Sequence, residues 1–313
     1  MHKRKLKLKF LGCLIGAAIG DGLGSGQEGK GMAQSEKVES LMEKPEQLTY
    51  TDDTHMTIGV TESLVANKGF NGEHMAQTFL RNYETEPWRG YGPGPPRIFR
   101  MIKTGEPWNS AASKLYNGGS LGNGSAMRVA PVGLLYSNDP AKLREIAYQS
   151  SSITHSHELG REGAALQAYA VALALGTPSD EEINQKDFLL KLQNFAQNRL
   201  YEKKIAQIKE LLGEQSKARV VAVLGNGIEA LRSVPTAIYS FLRQPRSYKD
   251  TVIYAISLGG DTDTIASMAG AISGAYLGLD AIPGEWRAKL ENRAYIETLA
   301  EKLWQLTTFP REY

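Results

Sequence analysis

The sequence predicts an all-α fold, a single compact multi-helix domain over residues 1–313, and three observations carry that reading. Apolar residues recur at three- and four-residue steps, as in Met56, Val60 and Leu64, the period that gathers side chains on one face of a helix. No segment alternates apolar and polar residues cleanly between hairpin turns, as a half-buried strand would. Neither a strand–helix–strand rhythm nor a fixed-period repeat emerges.

In chain order, Phe10, Leu14, Ala17 and Ala18 space a buried helix over 10–19, with Gly12, Gly16 and Gly20 permitting close helix contact. A glycine-rich loop over 20–31 carries Glu28, and 33–43 reads as a short exposed helix. After the loop at Pro45, a helix over 51–66 holds Asp52 and Asp53 in its first turn, where acids suit the helix dipole. Residues 74–82 continue helical, and 86–96 is a Gly/Pro-rich loop expected to lack regular structure. A second glycine-rich loop spans 117–124 and a helix 126–136. Helices follow over 140–151 and 158–175, then two charged amphipathic helices within 181–212. Residues 218–224 fit either a short strand or a helix, and 228–242, 249–257, 264–278 and 285–306 are helical.

Composition narrows the function. Charged residues make up 22% and aromatics 8%, ordinary for a soluble globular protein, and the net charge of +2 gives no electrostatic footprint for nucleic acid. The single cysteine, Cys13, excludes an internal disulfide and a cysteine-based zinc site, and suits a reducing, cytoplasmic setting. Residues 1–9 are basic and 10–20 apolar, a pattern that resembles a signal peptide, with Leu11-Gly12-Cys13 like a lipoprotein cleavage site. The apolar run is short and runs straight into Asp21, so 1–9 is expected to be a basic tail ahead of the fold, with no membrane association.

Two acidic clusters stand out. Ser257-Leu258-Gly259-Gly260-Asp261-Thr262-Asp263-Thr264 sets two carboxylates and two hydroxyls after a glycine pair, just before an apolar helical run. Thr51-Asp52-Asp53-Thr54 repeats the theme at another helix start. Each has two readings: a plain helix cap, or hard oxygen ligands for a divalent cation. Adjacent aspartates repel and resist burial unless a cation neutralises them, and two clusters meeting at one place would supply four carboxylates. Neither cluster has the glycine and glutamate spacing of an EF-hand.

Other motifs are weaker. Gly24-Ser25-Gly26-Gln27-Glu28-Gly29 matches G-x-G-x-x-G, but a dinucleotide site needs a strand before it, and the sequence there reads as a helix. Gly118 to Ser125 lacks the lysine of a P-loop, although its amides suit a diphosphate, and Tyr116 beside it offers a ring for a base or simply for packing. His155 and His157 do not share a helix face, and Cys13 in its apolar run offers no nucleophile.

Taken together these stretches resemble the ADP-ribosylglycohydrolase family. The carriers are Gly16-Ala17-Ala18-Ile19-Gly20-Asp21 with Glu28, Tyr50-Thr51-Asp52-Asp53-Thr54, Gly122-Asn123-Gly124-Ser125-Ala126-Met127-Arg128, Thr154-His155 and Gly259-Gly260-Asp261-Thr262-Asp263-Thr264. Arg89-Gly90-Tyr91-Gly92 and Gly119-Ser120 are most similar to the branch that cleaves ADP-ribose from serine and degrades poly(ADP-ribose).

The resemblance implies an all-α fold with a binuclear Mg²⁺ or Mn²⁺ centre in a cleft. It implies metal ligands at Thr51, Asp52, Asp53, Asp261, Asp263 and Thr264, and catalytic roles for Glu28 and Asp261. Substrate-binding positions would be Gly90, Tyr91, Gly92, Tyr116, Gly119, Ser120, Leu121, Gly122 and His155. Leu121 stands where that branch has a second aromatic. The implied reaction is hydrolysis of the C1″ bond of ADP-ribose to an acceptor: O-linked as the leading reading, N-linked to arginine as the runner-up. A non-catalytic ADP-ribose-binding protein and a nicotinamide-dependent oxidoreductase are the rivals of other classes. ADP-ribose or an ADP-ribosylated protein is the expected partner, and the chain is expected to be a monomer.

Overall fold

The structure is a computed structural model that describes residues 2–308. Among these residues it holds seventeen α-helices, two short 3₁₀ turns and no strand beyond the isolated bridges Leu48–Leu290 and Gly122–Glu229. The first half comprises α1 (His2–Gly24), α2 (Ser35–Met42), α3 (Asp52–Ala66), α4 (Gly72–Thr85), α5 (Gly94–Lys103), α6 (Ala111–Leu115), α7 (Ala130–Leu135), α8 (Pro140–Ser152) and α9 (Glu158–Gly176). The second comprises α10 (Gln185–Phe195), α11 (Arg199–Leu211), α12 (Lys217–Leu224), α13 (Ala230–Arg243), α14 (Tyr248–Ser257), α15 (Thr262–Leu277), α16 (Gly284–Lys289) and α17 (Arg293–Thr308). No helix among the described residues is long and apolar enough to cross a membrane.

α1 and α15 form the central pair; α15 and residues 9–21 of α1 are buried nearly all round. They run antiparallel with backbones almost in contact along a glycine seam. A Cβ on Gly12 would lie 2.5 Å from the Gly274 carbonyl oxygen, on Gly16 2.6 Å from that of Gly270, and on Gly20 2.3 Å from that of Ala266. Only hydrogen fits there. The other helices wrap this pair: α3 and α17 beside α1, α9, α13 and α14 beside α15.

Several elements differ from expectation. The basic stretch is no tail: α1 begins at His2, because Leu6 and Leu8 pack on the core and draw the helix back. Lys7 pairs with Glu301 at 2.7 Å, and Lys9 donates to the carbonyls of Leu175 and Thr177 at the end of α9. The apolar run 10–20 is buried core. α1 also continues through Asp21 to Gly24, so the loop after it is shorter than the glycines suggest. α5 starts inside the Gly/Pro-rich segment, with Pro95 and Pro96 in its first turn, where a missing N–H costs nothing. Residues 218–224 are helical.

Candidate active site

The clusters at 51–54 and 261–264 face each other across one cleft of roughly 330 Å³, within the usual range of a small-ligand site. The glycine seam brings them together. It ends at Gly24, where a Cβ would lie 2.5 Å from the Asp263 Cα, so the segment carrying Glu28 leaves α1 directly beside the start of α15. The Thr264 hydroxyl donates to Asp53 Oδ1 at 3.4 Å, a direct contact between the two clusters. Carboxylate oxygens of Glu28, Asp261 and Asp263 lie within 4.8 Å of one another.

Local devices aim several of these groups at the cleft. Thr51 caps α3, accepting from the Asp53 N–H at 3.3 Å. Asp261 occupies the cap position of α15, but its side chain makes no cap hydrogen bond; it turns into the cleft and accepts from Asn123 Nδ2. Gly259 and Gly260, at φ +69° and +77°, make the turn that allows this, a conformation L side chains rarely adopt. The Gly260 N–H donates to the Lys30 carbonyl at 2.9 Å and the Gly29 N–H to the Gly260 carbonyl at 2.8 Å, stitching the Glu28 loop to the turn.

Burial, with like charges close by, raises every carboxyl pKa here. Burial and neighbouring aspartates push Asp52 up to about 8 and Asp263 up to about 7 and lift Asp53 in the same direction; burial, with the charge of Glu28, raises Asp261. The charge of Asp263 raises Glu28, with burial adding to it. Burial, aided by Arg128, pushes His155 down to about 3, so the imidazole is neutral. Its Nδ1 pairs with the Thr154 hydroxyl at 2.8 Å, and its other nitrogen faces Gly122 and Gly124.

Of the residues expected at the site, Glu28, Thr51, Asp52, Asp53, Gly90, Gly92, Tyr116, Ser120, Gly122, His155, Asp261, Asp263 and Thr264 line the cleft. Tyr91, Gly119 and Leu121 do not. Tyr91 binds His55 through its hydroxyl at 2.9 Å and packs edge-on against Tyr83. Gly119 lies against the His157 backbone, and Leu121 is exposed.

The cleft also contains Asn123, Thr154 and Ile228, which the sequence reading did not assign to it. Asp21, fully buried, supports it from beneath: it accepts from the N–H and hydroxyl of both Thr51 and Thr54. In the sequence Asp21 stands at the end of an apolar helical run and within a motif that carries the family resemblance, but nothing there gives it a role. Gly24 to Gly29 is preceded by α1, not by the strand a dinucleotide fingerprint requires.

The profile of the ADP-ribosylglycohydrolase family matches residues 2–312. The chain is 39% identical to "ADP-ribosylhydrolase ARH3" of Homo sapiens, over 94% of this chain and 92% of that one. It is 38% identical to the protein of that name from Gallus gallus, over 95% and 93%. A solved structure titled "ADP-ribosylglycohydrolase-related protein complex" superposes with a TM-score of 0.75 at 26% identity, covering 97% of this chain and 99% of that one.

Proposed function

The chain belongs to the ADP-ribosylglycohydrolase family, and on that premise we propose that its cleft hydrolyses the C1″ bond joining ADP-ribose to an oxygen acceptor: serine, the next unit of poly(ADP-ribose), or O-acetyl. The observation that carries the reading is the meeting of the two acidic clusters, 211 residues apart, at the Thr264–Asp53 contact. The similarity of Arg89–Gly92 and Gly119–Ser120 to the serine- and polymer-directed branch supports an O-linked substrate over ADP-ribosyl-arginine.

The residues fit divalent cations. Asp53 Oδ2 is buried with no hydrogen-bond partner, a costly arrangement for a carboxylate unless a cation completes it. Oxygen-only donors, mostly carboxylate, suit Mg²⁺ or Mn²⁺. We assign two such ions to Thr51, Asp52, Asp53, Asp261, Asp263 and Thr264. Bound there, they would supply positive charge that orients the hydroxyls of the distal ribose and offsets negative charge developing on oxygen in the reaction.

The chain's own groups do the rest. Glu28, on the rim beside Asp261 and Asp263, handles the proton: it takes it from the attacking water or delivers it to the leaving oxygen. Asn123 holds Asp261 in orientation through its amide. The neutral His155 and Ser120 offer hydrogen bonds to the ribose and diphosphate, and Tyr116 a ring face to the adenine. Every group comes from one chain, so we propose that a monomer acts.

The test sets serine-linked, polymeric and arginine-linked ADP-ribose side by side, with Mg²⁺ and with EDTA. Turnover of the O-linked substrates that EDTA abolishes is the expected result. Turnover confined to the arginine linkage would transfer the assignment to N-glycosidic bonds. Tight ADP-ribose binding without any turnover would make the protein a non-catalytic binder.

A further inference from the structure

Arg89 does not line the cleft; its side chain is 7% exposed and binds three separate segments. Its Nε donates to Glu86 Oε2 at 2.5 Å. Its Nη1 donates to Glu291 Oε1 at 2.5 Å and to the backbone carbonyl of Tyr50 at 3.0 Å. The guanidinium lies over the Tyr50 ring, 4.1 Å from its centre. Glu291 Oε1 also accepts the Tyr50 N–H at 2.7 Å, and Asn292 donates to the Tyr50 hydroxyl at 2.8 Å. Exposed ion pairs fix little, but a buried planar fork shared by two carboxylates, a carbonyl and a ring admits one arrangement.

Both ends of this clamp adjoin the cleft. Tyr50 immediately precedes Thr51, Asp52 and Asp53. Gly90 follows Arg89 at φ +87°, and a Cβ built on it would sit 3.9 Å from Asp52 Oδ1. The wall at Gly90 and Gly92 therefore faces the first acidic cluster at a separation that depends on where Arg89 is anchored.

We infer that Arg89 is a positioning residue: by joining Glu86, Tyr50 and Glu291 it fixes the 90–92 wall against the start of α3 and sets the width of the cleft where the distal ribose enters. The inference rests on the hydrolase reading for its ligand, but not for the clamp itself. Lysine cannot substitute, since a point charge on a flexible stem cannot hold three acceptors in one plane. Misplacement of a substrate wall by even about 1 Å weakens binding and rate well beyond what lost stability explains.

The test compares wild type with Arg89→Lys and Glu291→Gln. Three quantities are read: hydrogen exchange of the 86–92 amides without ligand, the Kd for ADP-ribose by calorimetry with Mg²⁺, and kcat and KM on the substrate the wild type turns over. Expected for both variants are faster exchange confined to 86–92, roughly tenfold weaker ADP-ribose binding and a matching rise in KM, with kcat falling less. Unchanged exchange, with Kd and KM within twofold of wild type, overturns the clamp. If the Arg89 variant fails to fold, Glu291→Gln, which keeps the partner's size, decides by the same criteria. A wild type that neither binds nor hydrolyses ADP-ribose would defeat the functional reading instead, and the exchange experiment would still decide the clamp.

Discussion

The Asp21 carboxylate accepts four donors from Thr51 and Thr54, the longest at 3.1 Å, and so holds the α3 start that presents Asp52 and Asp53. Truncation to Asp21→Ala strands these donors in a dry site. It should lower stability by about 3 kcal/mol or more in urea unfolding, with a loss below about 1 kcal/mol counting against the role. Asp261→Asn asks a different question. It keeps the shape but removes a charge from the cleft, and we expect turnover to fall at least about a hundredfold with the helical circular-dichroism spectrum intact. Full activity of that variant in excess Mg²⁺ would remove Asp261 from the proposed ion site. The two acidic clusters were legible in the sequence because their residue types concentrate within a few positions. The roles of Asp21 and Asn123 were not, although both stand in motifs that carry the resemblance, because one acid in a helix and one amide in a loop acquire a role only through partners about thirty or more residues away.

At the scale of elements, the α1–α15 seam opposes local propensity. Alanine is the better helix former by roughly 1 kcal/mol, so Gly20→Ala should stabilise an isolated helix. Here its Cβ would meet the Ala266 carbonyl at 2.3 Å, and backbone cannot retreat without parting the central pair. We expect a net loss of about 2 kcal/mol, together with weaker activity, because the same seam places Asp263 beside the Glu28 segment. Gly176→Ala, where nothing lies within 4 Å of the new Cβ, serves as the control and should be neutral or better. Helices with a clear apolar period, such as α3 and α9, were readable from sequence. α5 was hidden, since prolines that break a helix interior are welcome in its first turn, and the one-dimensional pattern does not say which turn they occupy.

For the whole molecule, the raised carboxylates tie stability to pH and to cations. Asp21 and Asp263 sit at about 7 and Asp52 at about 8, each from an ordinary value of 3.8. A carboxyl whose pKa is higher folded than unfolded binds its proton better in the native state. The stability it contributes is therefore complete below about 4 and lost as pH rises through 7 to 8. His155, depressed to about 3, works in the opposite sense only below its ordinary 6.5. Between pH 6.5 and 8, then, the cation-free protein should lose melting temperature steadily. Mg²⁺ or Mn²⁺ should restore it, and by more at pH 8 than at pH 6.5. A melting temperature flat across that window, and indifferent to both ions, would contradict the assigned centre. Calorimetry in the same series should show one cooperative transition if residues 1–313 are a single domain, as we propose.

The pairing of α1 with α15 also sets a timetable. Ribosomes add about 5–20 residues per second, so the glycine face of α1 waits roughly ten to fifty seconds for a partner made some 250 residues later. Through that interval the nascent chain carries a buried-type helix without its main partner, although α3, α7 and α9 are made earlier. The half of the proposed centre contributed by residues 261–264 is made some 210 residues after the half at 51–54. A ribosome stalled after α14 would hold a chain with Glu28 and the 51–54 cluster but without the carboxylates of 261–264 that they face.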